Sequence, residues 1–158
     1  MITVSSITSK LPYDEAHHQM NQIYTNEQKK KRAILRAAQV IYGHHEEEAL
    51  GIHSRIFEVL VHDDYVRIGT SIKGAHHREH VVPCALLRDQ SLRMFHEGSL
   101  IEEVAAMLER NLLIALISSE ERYYLDVTLG LKNKMPTGWQ FGVNDPLDRL
   151  KAAGIVLR

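Results

Sequence analysis

Apolar residues recur at helical spacing through the first quarter of the chain. Residues 12–42 have the pattern of one long helix, in which Pro12 suits the first turn and Gly43 lies just beyond the end. Because residues 26–32 are strongly polar, the helix can break near Thr25 and continue as a second helix. The buried face of that second helix would consist of Ala33, Ile34, Ala37, Ala38 and Ile41.

In the middle of the chain the apolar residues form shorter runs, and their spacing changes from that of a helix to that of a strand. A helical segment at about 46–60 leads into residues 59–72, whose apolar positions lie around a polar turn at 62–64. This pattern predicts a short β-hairpin. Val81 and Val82 then continue as a brief strand that ends at Pro83.

The second half of the chain alternates apolar runs with clear termination signals. In order, it predicts a helix over 85–95, a helix starting from a capping box at 99–102, an apolar run at 112–117, a helix from Ser118 and a short helix at about 145–153. The run at 112–117 fits either a strand or an extension of a buried helix. The tail beyond residue 130 is rich in turn residues.

This layout indicates an α+β protein, mostly helical, with a small ββα module embedded among flanking helices. With 158 residues and 44% hydrophobic content, the chain can bury one core and is most simply a single domain. We divide it into a helical N-terminal part over 1–60, the module over 61–129, and a C-terminal tail over 130–158 that packs on the core.

Charge and cysteine content narrow the function classes. The formal net charge of −1 argues against coating nucleic acid by charge alone, although a local basic patch is compatible with it. The single cysteine, Cys84, excludes an internal disulfide framework and a cysteine-rich zinc cage. No basic-then-apolar leader opens the chain, and no apolar run approaches the ~20 residues of a membrane span. We therefore expect a cytoplasmic protein without a membrane partner.

The candidate chemistry lies in the run Glu79-His80-Val81-Val82-Pro83, followed by Asn111 and by Ser118-Ser119-Glu120-Glu121-Arg122. This order resembles the HNH, or His-Me finger, endonucleases over about residues 76–126. Those enzymes place an acid and a histidine on a hairpin, an asparagine on the connecting loop and a last metal ligand on a helix. The resemblance implies a ββα-metal module and hydrolysis of phosphodiester bonds.

By this resemblance, Glu79 would ligate one divalent cation, His80 would be the general base, and Asn111 would fix the orientation of the imidazole. Glu121, or Glu120 in its place, would be the last ligand, where the family usually has histidine or asparagine. Such oxygen ligands suit Mg²⁺ or Mn²⁺, with Zn²⁺ as the alternative. Because neighbours on a strand point to opposite faces, Glu79 and His80 can share a site only if the backbone bends between them.

Helix capping is an alternative explanation for some of these residues. Ser118 and Glu121 also have the spacing of a capping box, and Asn111 follows a helix that it could simply terminate. His44 and His45 could contribute to a zinc site built from histidine pairs, but no ligand spacing supports it.

Substrate contacts are expected from basic residues near the motif. His77 shares a strand face with Glu79, and the cations that could hold a nucleic-acid backbone are Arg78, Arg88, Arg93, Lys132 and Lys134. Trp139 either anchors the tail, which we favour, or belongs to a strand-gripping loop.

The sequence thus predicts a metal-dependent endonuclease acting on DNA. One alternative is a catalytically inactive module of the same scaffold that binds nucleic acid or a protein partner, as in a phage or defence system. Another is a helical interaction protein that forms a homodimer through residues 12–60.

Overall fold

The computed structural model describes residues 24–48 and 51–158. The helices are α1 (Asn26–Glu46), α2 (Ile56–Leu60), α3 (Asp63–Val66), α4 (Cys84–His96), α5 (Ile101–Asn111), α6 (Ser119–Tyr123) and α7 (Asp148–Ala152). A π-helical turn, Tyr124–Thr128, continues α6. The strands are β1 (Arg67–Thr70), β2 (His77–His80) and β3 (Ile114–Ile117). The protein is α+β and mostly helical, as predicted.

Helix α1 begins where the polar segment predicted a break. The Thr25 hydroxyl accepts a hydrogen bond from the Gln28 backbone N–H at 3.2 Å, and the Gln28 side chain accepts one from the Thr25 N–H at 2.9 Å. This reciprocal capping satisfies two donors at the helix start. The buried face is the predicted one: Ala33, Ile34, Ala37, Ala38 and Ile41. The helix continues through Gly43, and the predicted stretch 12–23 lies outside the described residues.

The hairpin predicted for residues 59–72 is wrong. The segment instead contains the end of α2, the short helix α3 and then β1. The His62 ring nitrogen accepts a hydrogen bond from the Asp64 backbone N–H at 3.2 Å, so the polar turn starts a helix rather than joining two strands. The predicted helix over 46–60 is also shorter than expected. Among the described residues of that range, only Glu46, which ends α1, and Ile56–Leu60, which form α2, are helical.

The sheet has the order β1-β3-β2, so the last strand in sequence lies in the centre. Strand β1 runs parallel to β3, and β2 runs antiparallel to it. The predicted apolar run over 112–117 is therefore a strand, almost entirely buried. Val81 and Val82 are buried immediately after β2 and do not extend it as a strand, which corrects the prediction for these two residues.

Helices α4 and α5 form the connection between the antiparallel strands β2 and β3. The N-cap of helix α5 is Leu100, one residue later than the predicted cap at Ser99. The Glu103 carboxylate, rather than that of Glu102, accepts a hydrogen bond from the Leu100 backbone N–H at 2.8 Å. Both helices pack on α1, whose apolar stripe is buried against them within the same chain. That stripe is therefore not free to pair with a second copy.

Strand β3 separates two apolar cores. Ile114 packs with the α1, α4 and α5 side chains, whereas Ala115 and Ile117 point to the opposite face, where they meet Leu125 and Leu150. This division follows from the alternation of side chains along a strand. No helix in the described ranges is long and apolar enough to cross a bilayer.

Arg149, in α7, joins the C-terminal tail to β2. The side chain is fully buried, and its guanidinium lies 2.8 Å from the Glu79 carboxylate. It also donates to the carbonyl oxygens of His80 at 2.8 Å, Leu131 at 2.7 Å and Lys132 at 3.3 Å. A planar cation with five donors can satisfy this arrangement, whereas a lysine ammonium cannot.

We expect Arg149→Met to lower the free energy of unfolding by about 3–5 kcal/mol, because Glu79 and three carbonyl groups lose their common partner. Urea denaturation followed by circular dichroism measures this loss. The matched control is Lys151→Met, which removes an exposed ion pair with Asp145 and should leave the denaturation midpoint unchanged. A midpoint for Arg149→Met that equals the wild-type value would contradict the assigned role.

Candidate functional site

Strand β2 carries the predicted acid and histidine on opposite faces. Glu79 pairs in register with Ala115, and His80 pairs with Ile114, without a bulge between them. Successive residues of a regularly paired strand alternate in direction. The bend that would bring both side chains to one site is therefore not present within β2.

The Glu79 face of β2 is covered by α6 and the tail. His77 lies on this face, 3.2 Å from the Ser119 hydroxyl and 3.3 Å from the Arg122 guanidinium. Glu79 itself is paired with Arg149. The expectation that His77 shares the strand face of Glu79 is confirmed.

The contacts of His77 fix its tautomer. Because the Arg122 guanidinium can only donate, the His77 Nδ1 atom must accept, which puts the proton of the neutral ring on Nε2. The Nε2–H then donates to Ser119. In this state His77 cannot take a proton from Ser119, so the pair is not an activated serine nucleophile.

Asp126 is an acid on this face that the sequence reasoning missed. It lies in the π-helical turn after α6, with one carboxylate oxygen 3.8 Å from Arg149 and the other 3.6 Å from Arg122. The oxygen that faces Arg149 is buried and accepts no hydrogen bond in the described structure. Burial raises the pKa of Glu79, Arg149 partly offsets this rise, and Asp126 adds to it. Glu79, Asp126, Arg122 and Arg149 thus form one cluster of two carboxylates and two guanidinium groups.

Glu121 occupies a structural position. One of its carboxylate oxygens accepts a hydrogen bond from the Ser71 hydroxyl at 2.7 Å, and the other accepts one from the Ser118 backbone N–H at 2.9 Å. Ser118 in turn caps the Glu121 backbone N–H, so the capping-box reading of these two residues is confirmed. Only 5% of Glu121 is exposed. Glu120, in contrast, is exposed to solvent.

Asn111 ends α5 just before β3. Its side-chain nitrogen donates to the Met107 carbonyl at 2.8 Å, and its own carbonyl accepts from the Leu113 N–H at 3.0 Å. Its side-chain oxygen is buried without a hydrogen-bond partner in the described structure. These bonds fix the turn from α5 into β3. No hydrogen bond joins Asn111 to His80 in the part of the chain that is described.

His80 lies on the other face of β2 in a half-buried setting. Burial, followed by the nearby Arg78 cation, lowers the pKa of His80 to about 4, although Glu58 and Asp63 oppose the shift. The ring is therefore neutral at pH 7, the form that can accept a proton. Burial also raises the pKa of the Cys84 thiol to about 12, which leaves that thiol unreactive.

Four of the five predicted basic residues fall into two groups. Arg78 is paired with Asp63 at 2.8 Å and with Glu58 at 3.4 Å, and Arg88 is paired with Asp89. Lys132 and Lys134 are exposed and form no ion pair with any residue that the structure describes. The two lysines are thus the freer candidates for contacting phosphate.

The predicted metal ligands Glu79, Glu120 and Glu121 do not come together at one site. Across residues 24–48 and 51–158, no group of three or more histidine, cysteine or acidic side chains has the geometry of a metal site. The two oxygen donors that the fold brings to one face are Glu79 and Asp126, separated in sequence by most of the module. Only the resemblance-based assignment of Glu79 could have been made from sequence, because Asp126 belongs to no local motif.

Comparisons with known proteins add no assignment. No family model matches this chain, and no curated protein or solved structure matches it. The function must therefore be inferred from the residues and their geometry.

We expect the stability of the protein to rise with pH between about 4 and 6.5 through His80. In this interval the unfolded chain binds a proton at His80 and the folded chain does not, so folding is favoured as pH increases. The full difference corresponds to about 3 kcal/mol. The raised pKa of Glu79 acts in the opposite direction and is retained when only His80 is replaced.

The measurement is the difference in unfolding free energy between wild type and His80→Gln, determined by urea denaturation across this pH interval. The pH slope should be smaller in the variant. The exposed His53 provides the matched control, since His53→Gln should follow the wild-type curve. Parallel curves for wild type and His80→Gln would contradict the assigned burial effect.

Proposed function

We propose that this protein is a metal-dependent phosphodiesterase that cleaves nucleic acid, with DNA as the favoured substrate. The observation that carries the proposal is the order β2, β3, α6: an antiparallel strand pair followed by a helix that lies against the Glu79 face of β2. This is the arrangement that the resemblance to HNH endonucleases implies, although helices α4 and α5 replace a short hairpin loop.

The donor chemistry on this face fits a divalent cation. Glu79 and Asp126 offer carboxylate oxygens, and the buried Asp126 oxygen has no hydrogen-bond partner in the described structure. Hard oxygen donors suit Mg²⁺ or Mn²⁺. Both oxygens of Glu121 are already engaged, so Asp126 is the better second ligand. When bound, such a cation would neutralise charge on a phosphate and stabilise the leaving oxygen.

Two histidines of β2, His77 and His80, are candidates for the proton acceptor. The resemblance assigns this role to His80, which is neutral at pH 7. The regular pairing of β2 instead puts His77 on the Glu79 face, where its Nδ1 atom could accept a proton once the Arg122 guanidinium turns away. Because a general base must lie within hydrogen-bonding reach of the attacking water, these two assignments make different predictions for the two variants.

Arginines beside the acids would attract the substrate. The Arg122 side chain is 47% exposed and lies next to His77 and Asp126, so its guanidinium can turn towards a phosphate. The exposed Lys132 and Lys134 belong to the loop over 131–135. Arg149 holds this loop beside β2 by hydrogen bonds to its carbonyl groups. A local positive surface of this kind is compatible with the near-neutral charge of the whole chain.

A second candidate is a non-catalytic module that binds nucleic acid. The observation that favours it is the bonding of the predicted acids: Glu79 is paired with a buried arginine, and Glu121 is held by two serines. In this case the same basic residues would bind phosphate without cleavage. Metal dependence separates the two functions.

We expect the wild-type protein to nick supercoiled plasmid DNA in Mg²⁺ or Mn²⁺ and to lose this activity in excess chelator. Asp126→Asn should reduce the nicking rate by about 100-fold, because it removes a charged oxygen ligand but preserves the size of the side chain. His77→Ala and His80→Ala, assayed in parallel, identify the base as the histidine whose loss abolishes nicking. His53→Ala is the matched control and should cleave like wild type.

Nicking that persists in chelator, or that is equal in Asp126→Asn and wild type, would overturn the proposed metal site. Absence of nicking with either metal, together with retained binding of the plasmid in a gel-shift assay, would favour the non-catalytic module. Circular dichroism of each variant establishes that a loss of activity does not reflect unfolding.

A further inference from the structure

A cleft of about 690 Å³ lies between α4 and the tail, on a surface that the proposed catalytic cluster does not use. Its walls include Leu86, Gln90 and Arg93 from α4, and Lys134, Trp139 and Phe141 from the tail. This volume lies within the ~300–1,000 Å³ typical of ligand sites. Aromatic and cationic side chains thus occur together in one concave surface.

The aromatic side of the cleft is held by packing and a hydrogen bond, and it is partly accessible. The rings of Trp139 and Phe141 meet edge to face with centroids 4.8 Å apart. The indole N–H of Trp139 donates to the Asp145 carbonyl at 2.9 Å, which fixes the ring. Both residues pack against the main core yet keep exposed surface. Trp139 thus anchors the tail, as favoured from the sequence, and also presents an aromatic surface to the cleft.

The charged side of the cleft is positive. Arg93 and Lys134 are both exposed, and Asp89 is the single acid among the lining residues. Arg93 is hydrogen-bonded to the neutral Gln90 rather than to a carboxylate, so its charge is not neutralised by this partner. Lys132 adds a further cation two residues before Lys134 in the same loop. An anionic ligand is the complement of this surface.

The cleft is connected to the strand that carries the proposed site. The Arg149 guanidinium donates both to the His80 carbonyl and to the Lys132 carbonyl. One side chain therefore holds β2 next to the loop that carries Lys132 and Lys134. Helix α4, the other wall, starts at Cys84, immediately after the buried Val81-Val82-Pro83 segment. The two segments that border the cleft are therefore both joined to the end of β2.

We propose that this cleft holds a single-stranded segment of nucleic acid, with a base stacked on the Trp139–Phe141 pair and phosphates at Arg93 and Lys134. Stacking on aromatic rings requires a base whose face is exposed, which single strands offer and an intact duplex does not. The inference rests on the proposed function for its substrate class. It specifies the strand state that the protein binds, and it adds Phe141 to the contacts expected from Arg93, Lys134 and Trp139.

The test uses Trp139, the one tryptophan of the chain, as a reporter that lies in the cleft itself. A single-stranded oligonucleotide, titrated in excess chelator, should quench the tryptophan fluorescence of the 158-residue chain. Lys134→Glu should weaken binding by about tenfold or more, because it reverses an exposed charge without disturbing packing. Phe141→Leu should weaken binding roughly tenfold, since it retains apolar packing but removes a stacking surface.

The matched control is Arg36→Ala, which removes an exposed arginine from α1, outside the cleft. This variant should bind the oligonucleotide like wild type. Equal affinity of wild type, Lys134→Glu and Phe141→Leu would overturn the inference. Equal quenching by a duplex of the same sequence, or by polyglutamate, would also overturn it.

Because the titration is performed without available metal, its result does not depend on catalysis. Metal-dependent nicking without tryptophan quenching would leave the proposed function intact and remove the cleft from it. Quenching by the single-stranded oligonucleotide, with no cleavage of either that oligonucleotide or plasmid in Mg²⁺ or Mn²⁺, would support the cleft and exclude the phosphodiesterase activity.

Discussion

The buried ion pair between Arg149 and Glu79 is the interaction on which the arrangement of the sheet, the tail and the candidate site depends. Taking a guanidinium and a carboxylate out of water is costly, and the cost is recovered here through a short ion pair and hydrogen bonds to three carbonyl groups. These partners belong to β2 and to the loop that follows the π-helical turn. One side chain therefore fixes the tail, the lysine loop and β2 relative to each other.

The central position of β3 determines what the two faces of β2 can do. Because β2 is paired regularly along β3, Glu79 lies towards α6 and Asp126, whereas His80 lies towards Arg78 and the helical core. The two neighbouring residues of the motif consequently have different environments. One belongs to a cluster of alternating charges, and the other has a neutral, half-buried imidazole. The residues that lie close to Glu79 therefore come from α6, the π-helical turn, α7 and His77 of β2 itself.

The same elements explain how much of the candidate site could be anticipated. The Ser118–Glu121 capping box is local, since its partners are three residues apart, and the sequence offered it as the alternative to a ligand role for Glu121. The second bond of Glu121, to Ser71, crosses 50 residues and has no local signal. That bond buries the carboxylate and occupies an oxygen that the motif alone leaves available. Arg149 was missed for the same reason, because its partners lie on distant segments. Asp126 has a local partner in Arg122, but its position beside Arg149 has no local signal.

The sequence by itself determined the α+β class, the buried face of α1 and the helices on either side of Gly98, but it left the apolar run over 112–117 open between a strand and a helix extension. These features depend on periodicity and capping, which act over a few residues. Only the tertiary structure decided that β1 pairs with β3 rather than with β2, and that Glu79 is bound by an arginine 70 positions later. Strand pairing and ion pairing join segments that are remote in sequence, so their energies depend on which surfaces folding brings together.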